Sequence, residues 1–196
     1  MRTVHTPEDP PAKGLYALLT ASIAPRPIAW VSSVSADGVP NLAPYSFFTV
    51  ACADPAILSV TSIGRKDTYR NVVETGEFVV NIGSESLMEV MNATSAPFAP
   101  EVDEFAATGL TAEASDAVSV PRVAEAPIAF ECVRHDVIDL GTSVMMLGRV
   151  VSVAISDDVL AADGLPDFSA LRPPSRLGRH QWGLAPRTRE LPRPRK

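Results

Sequence analysis

Cysteine, histidine and aromatic residues are scarce in this chain. Of its 196 residues, two are cysteine, three are histidine and 6% are aromatic. Cys52 and Cys132 form no C-x-x-C pair and have no histidine at ligand spacing, so neither a disulfide framework nor a zinc site is signalled. Both thiols are expected to be small, buried and inert. Positive charge is in deficit: 17 lysines and arginines against 23 acids give a net charge of −6, and a pI near 5.1 excludes a nucleic-acid binder whose whole surface is basic. Long hydrophobic runs are missing too. No stretch approaches the roughly 18 apolar residues of a membrane span, and the opening residues, broken by Pro7, Pro10 and Pro11, hold no apolar segment of a secretory signal. These absences point to a cytoplasmic protein with no membrane or nucleic-acid partner.

Proline, by contrast, is plentiful. Its 18 residues, against a usual share of roughly 5%, interrupt nearly every stretch long enough for a long helix and exclude coiled coils and helical bundles. With 46% hydrophobic and 20% charged residues the chain can bury one sizeable core. Charge is uneven along it. From Arg172 onward eight basic residues face one acid, Glu190, while the preceding part carries nine basic and twenty-two acidic residues. The Pro-Arg-Pro-Arg ending has the composition of a solvated terminus. Residues 1–185 are therefore assigned to one domain and residues 186–196 to a basic, mobile tail.

Element order carries the architecture, since repeats are absent. Residues 28–35 are β-branched and small, end at Ala36-Asp37-Gly38, and are followed by residues 39–44, which reads as a hairpin. Residues 56–63 and 78–82 read as strands, joined by a short helix over 67–75 with Asp67 as N-cap and Gly76 as its stop. A capped amphipathic helix over 84–92 puts Leu87, Val90 and Met91 on one face, as a cover for the sheet. After an irregular span to about Pro127, residues 128–140 and 143–155 form a long hairpin turned at Gly141-Thr142. The fold class is mainly β: an antiparallel barrel, closed or nearly so, with short inserted helices.

The usual catalytic signatures are missing, with no G-x-S-x-G, H-E-x-x-H, Walker loop or dinucleotide fingerprint, so a cofactor has to supply the chemistry. Two places stand out. At Ser62-Ile63-Gly64-Arg65-Lys66-Asp67-Thr68 a strand passes a glycine turn and two cations into a helix N-terminus, where free N–H groups, the helix dipole and the Thr68 hydroxyl attract a phosphate. The competing reading is a plain turn capped by Asp67. At Asn41-Leu42-Ala43-Pro44-Tyr45-Ser46 a strand leaves through a proline turn into Phe47 and Phe48, which either offers donors and an apolar platform to a planar ring or fills the barrel. Arg26, between Pro25 and Pro27, and Trp30 carry the same two readings.

Residues 24–32 (Ala-Pro-Arg-Pro-Ile-Ala-Trp-Val-Ser), residues 41–48, and Lys66-Asp67-Thr68 followed by Asn71 and residues 75–81 resemble, in order and spacing, the signature blocks of the flavin reductase-like, flavin mononucleotide (FMN)-binding split-barrel family. The similarity runs from about Leu15 to Ser156, with an echo at residues 176–179. It implies an antiparallel split β-barrel that works as a homodimer, with FMN bound non-covalently near the subunit interface. Carried over, the ring-proximal turn falls on Asn41, Leu42, Ala43, Pro44, Tyr45 and Ser46, and the phosphate segment on Arg65, Lys66, Asp67 and Thr68. Arg26, Trp30 and Ser62 complete the candidate cofactor-binding set, and no residue is assigned as a catalytic acid or base. The implied activity passes a hydride from NADH or NADPH to FMN and on to oxygen, free flavin or a partner oxygenase. A tightly FMN-bound electron-transfer protein and a non-catalytic FMN-binding or sensing protein are the alternatives. In one respect the chain departs from the pattern: many members carry a histidine in the turn before the last long strand, where this sequence has Gly141-Thr142-Ser143, and neither His135 nor His180 matches it.

Overall fold

The computed structural model describes residues 1–194, and Arg195 and Lys196 of the basic tail lie outside the described residues. A helix, α1 (Gly14–Ser22), leads into the hairpin of β1 (Ala29–Val34) and β2 (Pro40–Tyr45). A two-residue step, Ser46 and Phe47, separates β2 from β3 (Phe48–Cys52), which pairs with β4 (Ile57–Ile63). Next come α2 (Asp67–Thr75), β5 (Glu77–Ile82), α3 (Met88–Ala93) and α4 (Glu104–Thr108). The long hairpin follows as β6 (Ile128–Leu140) and β7 (Ser143–Ile155), and then α5 (Phe168–Leu171).

The seven strands form one antiparallel sheet in the order β2-β1-β5-β6-β7-β4-β3. Its two end strands are neighbours in sequence, so a two-residue link can join them only if the sheet curls until its edges meet. No ladder pairs those edges among the described residues, which makes the barrel split rather than closed. Alternation along the strands then sorts side chains into two layers. Ala29, Val31, Tyr45, Leu58, Val60, Phe78, Val80, Cys132 and Met146 fill the interior together with Val72 of α2. The opposite face of the β1–β2 hairpin, with Trp30 and Leu42, packs against Met91 of α3, Phe105 of α4 and Val123. Helices thus cover the sheet from outside while α2 plugs the barrel.

One interior contact depends on a missing side chain. A Cβ on Gly148 would lie 2.2 Å from Phe78 Cζ and 2.8 Å from Cε1, and a register shift in the β6–β7 ladder falls between Leu147 and Gly148. The long hairpin therefore bends over the Phe78 ring.

The span from Gly109 to Pro127 has little regular structure yet is tied down. Asn81, fully buried, donates to the Trp30 carbonyl (2.9 Å) and accepts from the Val123 N–H (2.9 Å). Ser32 donates to the Pro121 carbonyl (2.6 Å). The buried Glu131 carboxylate accepts from the N–H groups of Asp116 (3.0 Å) and Ala117 (2.6 Å), with Arg122 Nη1 at 3.4 Å.

Several sequence expectations are corrected. Asp67 is the first helical residue of α2 rather than its cap: the cap position is Lys66, and the Asp67 carboxylate pairs with Arg70. The helix expected over 84–92 divides into a 3-10 turn, Glu85–Leu87, and the shorter α3, because the Ser84 hydroxyl bonds that of Ser86 (2.9 Å) instead of capping. Cys52 is only half-buried at the end of β3, while Cys132 is sealed in the barrel, where burial pushes its thiol up to about 12.

Candidate functional site

The end of β4 sets up the site. Beyond Ile63 the chain turns at Gly64, whose φ of +79° is a conformation glycine adopts without strain. The Gly64 N–H donates to the Thr142 carbonyl (2.9 Å), tying this turn to the tip of the long hairpin, and Ser62 Oγ donates to the Gly64 carbonyl (2.8 Å). The chain then enters α2, and no side chain caps that helix. Its first-turn N–H groups are left without a side-chain acceptor, and they and the helix dipole favour an anion.

Thr68, 1% exposed, lies in the first turn of α2. Its Oγ1 accepts from Asn41 Nδ2 (2.9 Å), which leaves the hydroxyl proton to donate, and the Tyr45 phenol is one group it faces. Asn41 and Asn71 both donate to Ser33 Oγ, at 3.3 and 3.1 Å, and this buried amide network fixes β2 against α2. Lys66 takes part in no ion pair among the described residues. Arg65 does: it pairs with Asp139 and lies over the Tyr69 ring at 5.8 Å.

These groups open on a cavity of about 420 Å³. Asn41, Ala43, Pro44 and Tyr45 of β2 form one wall, and Arg65, Lys66, Asp67, Thr68 and Arg70 another. Residues 94–98 and Glu104 complete it. The two sequence segments singled out for a ring and for a phosphate are thus brought to one cavity. The remaining five candidates do not line it. Trp30, fully buried, donates from Nε1 to Thr94 Oγ1 (2.9 Å) and so holds the 94–98 loop. Leu42 donates its N–H to Glu104 Oε2 (3.2 Å). Ser46 Oγ accepts from Arg26 Nε (3.4 Å), and the Arg26 guanidinium serves the carbonyls of Thr20, Ile23 (2.7 Å) and Leu177 (2.9 Å), fastening the end of α1. Ser62 lies beneath the Gly64 turn.

The sequence reading missed Glu104 and the 94–98 loop. Asp103 caps α4, accepting from Phe105 N (2.9 Å) and Ala106 N (3.3 Å), and Gly109 stops it with a φ of +73°. That Asp…Gly frame was the available signal. Burial pushes the Glu104 carboxyl up, with Asp67 and Asp103 adding to the shift and the N–H groups of Leu42 and Glu104 opposing it. Burial also pushes the Tyr45 phenol up, against the lowering effect of the Thr68 and Ser62 hydroxyls.

A split antiparallel barrel with an anion-attracting helix start and a strand wall on one cavity defines a class of small-ligand-binding β-barrel proteins. Residues 21–169 match the family model described as flavin reductase like domain, and the chain belongs to that family. A protein of Halalkalibacterium halodurans is 41% identical over 200 aligned positions, covering 96% of this chain and 95% of its own. The crystal structure of nitrilotriacetate monooxygenase component B from Bacillus cereus superposes with a TM-score of 0.92 at 39% identity, with 97% of this chain and 98% of that one covered. That of 2-nitrobenzoate 2-nitroreductase from Pseudomonas fluorescens superposes with a TM-score of 0.90 at 30% identity, with 98% and 96% covered. Among the described residues no helix is long and apolar enough to cross a membrane.

Proposed function

We propose that the chain is an FMN-dependent oxidoreductase that takes its reducing equivalents from NADH or NADPH and works as a homodimer. The observation that carries this reading is the convergence of Asn41–Tyr45 and Arg65–Thr68 on one cavity of about 420 Å³, a volume within the usual range for small-ligand sites. The residues present fit a phosphorylated flavin. Lys66 supplies a cation without an ion-pair partner among the described residues, Thr68 a hydroxyl donor, and the uncapped start of α2 its N–H groups. Ala43, Pro44 and Phe98 offer apolar surface to a ring, and the β2 backbone offers donors at its polar edge.

A flavin held by these residues would supply the redox chemistry, hydride acceptance from a reduced nicotinamide and electron delivery to an oxidised acceptor. The work of this chain is to bind, orient and exclude water. Lys66 and Thr68 would hold the phosphate, the Asn41 amide keeps the Thr68 hydroxyl oxygen engaged, and Trp30 fixes the cavity's 94–98 loop through Thr94. No side chain is required to move a proton during the transfer. The likeness to a monooxygenase component B supports a partner oxygenase as the acceptor, beside oxygen and free flavin.

A second reading, a flavin electron carrier with another reductant, is favoured by Ser143 standing where the family resemblance implies histidine in many members. One experiment separates the two. The purified protein should be yellow, release one FMN per chain on denaturation and bleach under anaerobic NADH or NADPH. Bleaching by dithionite alone would select the carrier, and absence of flavin binding would overturn both.

A further inference from the structure

Two carboxylates are buried among the described residues, and they are served very differently. Glu131 has two backbone N–H donors and Arg122. Glu104 has the Leu42 N–H on Oε2 at 3.2 Å, no donor from any other residue, and no ion pair among the described residues. No side-chain oxygen among the described residues is both sealed and unpartnered, so the second oxygen, Oε1, keeps some exposure, and Glu104 lines the large cavity and the smaller one beside it. An uncompensated buried carboxylate beside a site for an anion is costly, and the surroundings raise the cost.

The charged neighbours come from every side. Asp67 and Asp103 push the Glu104 acid up. A smaller adjoining cavity, of about 250 Å³, shares Glu104 and is lined by Asp37, Glu74 and Glu101. Of the cations lining the larger cavity, Arg70 is paired with Asp67 and Arg65 with Asp139, which leaves Lys66. The phenol of Tyr45 on the β2 wall stays neutral.

We propose that Glu104 is a positioning residue that carries a proton whenever a phosphate-bearing ligand fills the cavity, presenting its O–H toward the ligand while Leu42 keeps the other oxygen, so that loading takes up one proton. The proposal rests on the reading of the cavity as the seat of a phosphorylated flavin. A phosphate brought in beside two carboxylates leaves three negative groups in a partly desolvated space, and one must be neutralised. Asp67 is partly exposed and already held by the Arg70 guanidinium. Glu104, buried and without a cation, is the group that takes the proton. Its neutral form changes from a repulsive neighbour into a hydrogen-bond donor.

The test is calorimetric titration of the full-length protein with FMN, and separately with riboflavin, in buffers of different ionisation heat, for wild type and Glu104→Gln. Glutamine keeps an acceptor for the Leu42 N–H and a donor for the ligand. The phosphate's own ionisation is common to both proteins and cancels in the comparison. Wild type should take up more protons on binding FMN than the variant, the difference rising toward one, and its affinity relative to the variant should fall by up to about tenfold per pH unit across the titration of Glu104. Asp67→Asn should move that window to lower pH. Riboflavin, without the phosphate, should bind both proteins alike at every pH, which also certifies the variant's fold. Equal proton counts and parallel pH profiles for FMN would overturn the proposal, as would the same difference appearing with riboflavin. Should FMN bind no more tightly than riboflavin to wild type, the phosphate cradle itself fails and this inference with it.

Discussion

Lys66 and Thr68 define the residue scale, because they distinguish a phosphate from the ring that carries it. Replacing both by alanine removes one charge-assisted and one neutral hydrogen bond, a loss of about 2 to 4 kcal/mol, while the N–H groups of α2 remain. FMN affinity should fall roughly 30-fold to 1000-fold, read by fluorescence titration. Riboflavin should bind both proteins about equally, and equal losses for the two ligands would reduce the segment to a structural turn. Glu85 gives a second test at this scale. It accepts from the Ala185 N–H (2.6 Å) and from Arg172 Nε (3.1 Å), and these contacts, the Ala185 bond first, hold its carboxyl below the ordinary value of 4.5. Because the folded value is depressed, the contribution to stability is complete above the ordinary value and disappears as pH falls through the depressed one. Thermal midpoints measured from pH 7 to pH 3 should show wild type above Glu85→Gln at neutral pH, with the gap closing in acid.

Elements show which parts of this fold were written locally. The hairpin of β1 and β2 and the long hairpin of β6 and β7 were legible because β-branched runs end at Asp37-Gly38 and Gly141-Thr142. Helix α2 was legible from Gly76, which closes it with a φ of +78°. What stayed hidden depends on distant partners. Helix α1 ends where Arg26 collects its carbonyls, α4 is a single capped turn, and β3 exists by pairing with β4. The site divides the same way: Lys66 and Thr68 sit in a contiguous motif, whereas Glu104 reaches them only because α4 packs against β2 and the Leu42 N–H holds its carboxylate. Of the candidates outside its lining, Trp30 acts on the cavity through Thr94, while Arg26 fastens the end of α1. The bend of the long hairpin over Phe78 belongs to this scale too. Gly148→Ala should cost about 1 to 3 kcal/mol by overpacking, measured by chemical denaturation, and an unchanged midpoint would mean that the Phe78 ring turns aside.

For the whole molecule, the tail and the assembly are the open matters. Ala185 is held by Glu85, so a deletion of Pro186 to Lys196 leaves that contact in place. FMN affinity and thermal midpoint should then be almost unchanged. A large loss of flavin would instead mean that Arg187 or Arg189 reaches the ligand. Val50, Ile63, Ile138 and Leu140 are exposed apolar residues on the strands and at the long hairpin's tip, and such surface supports a second copy of the chain as partner. Sedimentation should report a dimer, and a flavin-bound species of 20.8 kDa would refute it.

The split in the barrel gives the cavity a mechanical meaning. Its β2 wall belongs to one free edge of the sheet, and its Arg65–Thr68 wall follows β4, one strand in from the other edge. The bond from Asn41 to Thr68 already stitches the two sides together. A ligand seated there is a clip across an unzipped seam, and its grip should be felt along both edges rather than at the cavity alone. Amide hydrogen exchange should slow on binding in β2 and β3 together, strands that share no ladder, while the base of the β6–β7 hairpin at Ile128 and Ile155, remote from the tip that Gly64 ties down, keeps its rate.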